Sequence, residues 1–114
     1  MERGEVWWAD LPDPAGAGPG YRRPIIIIQS NDFNRSKIRT IIILVLTSNL
    51  KIVDAPGNVL IPAIESGLPK DSVANVSQII TVDKDYLTDK CAKLPPRFMK
   101  SIDDGLRLVL SLKN

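Results

Sequence analysis

The sequence predicts a mainly β fold with helix (α+β class): a small curled antiparallel sheet or barrel, with one C-terminal α-helix packed on it. Three observations carry that expectation. Five or more short runs rich in aliphatic and β-branched residues recur along the chain between turn signals. Only the last stretch, from Pro96 onward, spaces its apolar residues at the helical period. The 114 residues make one ordinary domain, residues 1–114, and a chain of that size buries roughly 65% of its unfolded surface in one core.

The elements follow in order. Gly4 to Leu11 mixes Val6, Trp7, Trp8 and Leu11 with Glu5 and Asp10 and reads as a first strand. Pro12 to Gly20 holds three Pro and three Gly in nine residues, a composition that suits a long loop and no sheet interior. Pro24 to Gln29 carries four consecutive Ile, and Thr40 to Thr47 is almost wholly aliphatic and β-branched. Both read as strands buried on two faces, joined through the polar stretch Ser30 to Lys37. Pro56-Gly57 signals a turn, Asn58 to Ile61 a short strand, and Glu65 to Asp71 a loop. Ser72 to Val76 and Gln78 to Val82 read as two more short strands, and Leu87 to Lys93 as a last strand or a turn. In the helix, Pro96 suits the first position, and Met99, Ile102, Leu106, Val109 and Leu110 make one apolar face. Lys100 with Asp104 and Asp103 with Arg107 are spaced as ion pairs on the other side. Gly105 weakens the helix by about 1 kcal/mol relative to Ala, so packing must hold it.

Composition excludes several chemistries. The chain has no His and a single Cys. A His-dependent triad, a paired-His ribonuclease site, a His-rich zinc site and a cysteine zinc cluster within one chain are therefore ruled out. No disulfide can form within the chain, which fits a reducing cytosol, and Cys91 reads as a small buried hydrophobe. The longest aliphatic run, Ile41 to Leu46, falls far short of the roughly 18 residues a membrane span needs. Met1-Glu2-Arg3-Gly4-Glu5 has no basic stretch leading into an apolar one, so no signal peptide is expected.

Net charge is only +2, but Tyr21 to Thr40 is +4, with Arg22, Arg23, Arg35, Lys37 and Arg39 against Asp32 alone. Such a segment suits either a phosphate backbone or a solvated loop surface. Arg23 stands at the mouth of an apolar strand, directly before Pro24, which biases it towards extended backbone. Its planar guanidinium matches phosphate oxygens two at a time. Arg22 serves the same patch or simply solubility. Thr47, Ser48 and Asn49 close the next long strand, and three small polar residues there also suit a turn cap. If the strands bearing Arg23 and Thr47 are antiparallel neighbours, guanidinium and hydroxyl converge at one end of the sheet. That pairing suits charge stabilisation of a phosphodiester. Trp7 and Trp8, on alternating faces, offer at most one ring for stacking on bases.

An ordered set of motifs resembles the MazF/PemK toxins over nearly the whole chain. The set comprises Arg3 to Leu11, Arg23-Pro24-Ile25-Ile26-Ile27-Ile28, Asn31-Asp32 with Asn34-Arg35, and Thr47-Ser48-Asn49-Leu50. Gly67 to Ser72, Asn75-Val76-Ser77-Gln78-Ile79, Thr81 to Lys84 and the helix from Pro96 to Leu112 continue it in order. The resemblance implies an SH3-like barrel with a C-terminal helix, a cytoplasmic homodimer with no membrane segment, and no cofactor. It implies an endoribonuclease that cuts single-stranded mRNA at short sequences without a metal, leaving 2′,3′-cyclic phosphate and 5′-hydroxyl ends. A cognate MazE-like antitoxin would neutralise it by laying an acidic tail on the RNA groove, which the +4 segment suits. The family's catalytic Arg and Thr fall on Arg23 and Thr47. A guanidinium is a poor base in water, so Arg23 is assigned first to phosphate charge, or to donating a proton, and Thr47 to a non-bridging oxygen or the 2′-hydroxyl. RNA contacts are assigned to Arg22, Ser48 and Gln78; Gln78 alternatively caps strand-end backbone. Several members carry a supporting Glu in the first loop, where this chain has Gly18. The alternative is a CcdB-like toxin that binds and poisons DNA gyrase without catalysis. That family engages gyrase through C-terminal residues including a Trp, whereas this chain ends Ser111-Leu112-Lys113-Asn114.

Overall fold

A computed structural model describes residues 1–12 and 21–113. The strands are β1 (Glu5–Leu11), β2 (Tyr21–Ile27), β3 (Thr40–Thr47), β4 (Val59–Ile61), β5 (Ser72–Asp83) and β6 (Leu87–Lys93). Single-turn helices α1 (Asn31–Asn34) and α2 (Ala63–Ser66) interrupt them, and α3 (Pro96–Leu110) closes the chain. All pairings are antiparallel, in one curled half-barrel sheet of order β4-β5-β3-β2-β1-β6. The expected fold class is therefore observed. The loop assigned to Pro12–Gly20, Gly18 included, lies outside the described residues apart from Pro12.

Curling brings the two sheet edges towards each other. A Cβ on Gly67, at φ +74°, would lie 2.8 Å from the Cys91 carbonyl oxygen of β6, so only glycine allows that approach. Because strand side chains alternate, Ile25–Ile27 of β2 and Ile43 and Leu44 of β3 are buried on both faces, as the aliphatic runs predict, whereas Ile42 of the same run is exposed. Ile26, Leu44 and Leu46 join Val6, Ile61, Ala74 and Ile102 inside the curl. Ile25, Ile27, Ile41 and Ile43 pack with Ala9, Leu11, Val82 and Leu87 on the opposite face. Cys91 is half-buried against the first cluster, and burial pushes its thiol pKa up.

Several expectations about the elements change. First, β2 begins at Tyr21, three residues before Pro24, because Leu11, Asp10 and Ala9 of β1 pair with Tyr21, Arg22 and Arg23. Pro24 fits because pairing with β3 begins only at Ile25, so β3 asks no N–H of it. Second, the two strands read at Ser72–Val76 and Gln78–Val82 are halves of one bulged strand, β5. Its register with β3 jumps from Leu46↔Ala74 to Leu44↔Ile79, leaving Asn75–Gln78 against Val45 alone. Asn58 holds the bulge: its Oδ1 accepts from Val76 N (3.1 Å) and its Nδ2 donates to Ile52 O (2.9 Å). Third, α3 stops at Leu110, capped by Ser111 in the left-handed region at φ 58°, rather than reaching Leu112.

On α3, Ile102 is buried as expected, but Val109 and Leu110 are exposed. The expected four-residue ion pairs do not form. Asp103 pairs instead with Arg3 (2.5 Å), and Asp104 with Arg107 (3.0 Å). Arg3 also donates from Nε to Ile28 O (2.8 Å), which ties the helix to the end of β2.

Candidate functional site

The β2–β3 ladder runs Ile27↔Ile43, Ile26↔Leu44, Ile25↔Val45 and then stops. Beyond it β2 stays with β1, while β3 continues with β5 through Leu46↔Ala74 and Thr47↔Val73. The two strand ends therefore part, and the same register carried two residues further sets Arg23 opposite Thr47. By strand alternation Tyr21, Arg23, Val45 and Thr47 share one face. They line a cleft of about 210 Å³ together with Ile52, Asn75 and Gln78. The bulge explains the last two: four residues set against one turn Asn75 and Gln78 out of the ladder and into the cleft.

Arg23 is exposed, has no ion-pair partner among the described residues, and lies over the Tyr21 ring at 5.2 Å. Among the described residues its charge is thus uncompensated, while a cation–π contact restrains its position. Thr47 Oγ1 accepts from Asn49 N (3.1 Å), so the turn-cap reading of this residue is realised. That bond uses the oxygen, and the hydroxyl proton remains available to donate. Gln78 is exposed, and none of the hydrogen bonds among the described residues engages its amide.

The opposite alternation lines a second cleft, of about 260 Å³, with Trp8, Arg22, Pro24, Leu46, Ser48, Leu68 and Lys70; Arg23 borders both. Arg22 stacks over the Trp8 ring at 4.9 Å and donates to Asp89 (2.7 Å) and Thr88 (3.0 Å), with Asp10 at 3.9 Å. Two carboxylates thus offset its charge, and the Arg22 guanidinium holds the Asp89 carboxyl below the usual range. Trp8 accordingly forms a wall of this cleft, whereas Trp7 packs on the opposite core and donates its Nε1 to Glu5 (2.9 Å).

The structure therefore gathers Arg23, Thr47 and Gln78 in one cleft and sets Arg22 and Ser48 in the adjoining one. Tyr21, Asn75 and Lys70 are not among the site residues to which the sequence alone points. An aromatic two residues before Arg23 was the one available signal for Tyr21, since that spacing shares a strand face. Asn75 had no such signal, because its position depends on the bulge.

The family model describing PemK-like, MazF-like toxins of type II toxin–antitoxin systems matches residues 2–110. Endoribonuclease MazF6 of Mycobacterium tuberculosis is 46% identical over 112 residues, covering 98% of each chain. Endoribonuclease EndoA of Bacillus subtilis is 36% identical over 112 residues, covering 98% of this chain and 96% of its own. Among solved structures, a mycobacterial endoribonuclease in complex with its cognate antitoxin superposes with a TM-score of 0.80. It is 26% identical and covers 100% of this chain and 98% of that one.

Proposed function

The chain belongs to the PemK-like, MazF-like toxins of type II toxin–antitoxin systems, and from that premise we propose the reaction it performs as an endoribonuclease. It cuts single-stranded mRNA at a short sequence, without a metal, leaving 2′,3′-cyclic phosphate and 5′-hydroxyl ends. The observation that carries this reading is the convergence of Arg23 and Thr47 at the parted ends of β2 and β3, in one cleft with Gln78. The gyrase-poison alternative finds no support in the family model or in these relatives, which are named endoribonucleases.

In the reaction the ribose 2′-oxygen bonds to the adjacent phosphorus, the phosphorus–5′-oxygen bond breaks, the 2′-proton leaves and the 5′-oxygen gains one. Negative charge builds on the non-bridging oxygens as the phosphorus becomes five-coordinate. Arg23 meets that charge with two parallel N–H donors, and Thr47 adds its hydroxyl proton. Both groups are pre-oriented, Arg23 on Tyr21 and Thr47 by Asn49 N–H, so little is reorganised at the moment of reaction. No carboxylate lines this cleft among the described residues, so its contribution is donors and positive charge. Gln78 reads a base edge beside the scissile phosphate. Ser48 and Arg22, in the second cleft, hold the neighbouring nucleotide. With its charge offset by Asp89, Arg22 acts there chiefly as the platform on Trp8.

The whole chain, residues 1–114, acts as one toxin domain, which the match over 2–110 supports. It works as a cytoplasmic homodimer. Supporting a dimer is an apolar groove between Phe33, Ile42, Ile79, Leu106 and Leu110 that a second copy would cover. No helix among the described residues is long and apolar enough to cross a membrane. A cognate antitoxin is its partner, a reading supported by the mycobacterial relative solved in complex with its own antitoxin; an acidic tail over the clefts would meet the positive charge of Arg23 and Lys70. The test is incubation of a long RNA with the purified protein in EDTA, mapping the ends by primer extension and assaying 2′,3′-cyclic phosphate. Discrete cuts at one short motif, lost in a folded Arg23→Ala variant, are expected. Cuts that persist in Arg23→Ala would overturn the site assignment, and absence of cutting by the folded wild type would overturn the reaction.

A further inference from the structure

Within the Arg23 cleft, the two amide side chains differ in freedom. Gln78 has no side-chain hydrogen bond among the described residues, and its amide there can turn to present either a donor or an acceptor. Asn75 is locked. Its Oδ1 accepts from both Ser77 N (3.2 Å) and Ser77 Oγ (2.8 Å). The backbone N–H of Ser77 settles which end of the amide lies there, because the NH2 group in that place would set donor against donor. No hydrogen bond among the described residues engages Nδ2 of this half-buried side chain, which lines the cleft beside Arg23, Thr47 and Gln78. The bulge makes the arrangement: Asn75 and Ser77 stand in an Asx turn that a regular strand does not allow.

We infer that Asn75 is a specificity-determining residue of this site. Locked by Ser77, it offers two N–H donors and no acceptor, and so selects at one position of the cut sequence a base with a keto edge, guanine or uracil. At that edge the exocyclic amine of adenine or cytosine would meet donor with donor and leave both unpaired, the discrimination that polar sites make well. The inference rests on the nuclease reading above, and goes beyond it by naming the chemistry of one base position and the residue that imposes it.

Asn75→Asp is the matching probe. A carboxylate at this position still accepts from Ser77 N and Oγ, so the bulge keeps its turn, while the cleft-facing donors become an acceptor. A randomised single-stranded RNA pool is cut by wild type, Asn75→Asp and Asn75→Ala, and the new ends are sequenced. Wild type is expected to favour G or U by about tenfold or more at one position. Asn75→Ala loses that preference alone, and Asn75→Asp shifts it towards A or C. An unchanged motif in Asn75→Asp, or uniform slowing with no change in motif, would overturn the inference, the latter marking a phosphate contact. Sequencing the fraction of the same pool retained by Arg23→Ala and by Arg23→Ala/Asn75→Asp reads base preference without cleavage. A keto preference that Asn75→Asp removes there supports the inference even if the wild type proves unable to cut; an identical preference in both overturns it.

Discussion

Gly105→Ala opposes two terms of opposite sign, and the structure decides between them. Taken as an isolated helix, α3 would gain about 1 kcal/mol from the change, since Ala is the better helix former. In the fold, however, a Cβ at position 105 would lie 2.2 Å from the carbonyl oxygen of Gly57 and 3.0 Å from Val76 Cγ1. Ordinary contact begins at 3.4 Å, so backbone must retreat from backbone by about 1.2 Å. Gly57 cannot give way easily, because it holds a turn at φ +82° and its own Cβ position is 3.0 Å from Gly105 Cα. Overpacking of this kind costs about 1–3 kcal/mol, and two opposed main chains belong at the upper end. The net is a loss of about 2 kcal/mol, or a fall in Tm of roughly 8 °C for a domain this size. Thermal and urea unfolding at one fixed protomer concentration measure it, with an unchanged m value showing that the unfolded state is the same. A rise in Tm of a few degrees would refute the packing argument and leave helix propensity in charge. The consequence reaches the site, because Asn58, next to Gly57, holds the β5 bulge through Val76 N. Loosening that turn should also blur base selection at Asn75.

Two further predictions follow from single side chains. Thr47→Ser keeps both the acceptor for Asn49 N–H and the donor proton and should cut RNA within a few-fold of wild type, whereas Thr47→Val loses both and should fall by about 100-fold in kcat, measured on a defined RNA. Equal rates for the two variants would remove the hydroxyl from the mechanism. Burial raises the Glu5 carboxyl pKa, but hydrogen bonds from Trp7 Nε1 and Glu2 N, with Lys90 Nζ at 3.0 Å, outweigh it and hold the value below the usual range. A depressed folded pKa stabilises above the unfolded value of about 4.3 and is lost as pH falls through the folded one. Glu5→Gln should therefore cost about 1 kcal/mol at pH 7, with a gap in urea midpoint that narrows towards pH 3. A gap that widens on acidification would contradict this assignment.

Ile25–Ile28 and Ile41–Leu46 announce strands that bury side chains on two faces because so continuous an aliphatic run leaves neither face polar; Ile42 is the residue of these runs that stays exposed. Pro96 and the period-3.6 apolar residues likewise place α3, and β3 spans the Thr40–Thr47 that its composition marks. That Arg23 and Thr47 share a cleft was legible because each flanks such a run, and antiparallel pairing of the two runs brings those flanks together. Period and composition are local, so they survive in the one-dimensional record. Partner choice is not local. Asp103 had Arg107 four residues away, yet pairs with Arg3 across the fold, and Arg22 was committed to Asp89 on β6 by the order of the sheet. The start of β2 at Tyr21 depended on β1 being long enough to pair with it. The apparent break near Ser77 is a bulge rather than a turn because β3 supplies one residue where β5 supplies four. That mismatch exists only when the two strands lie side by side, and so the amide orientation of Asn75 belongs to the tertiary structure alone.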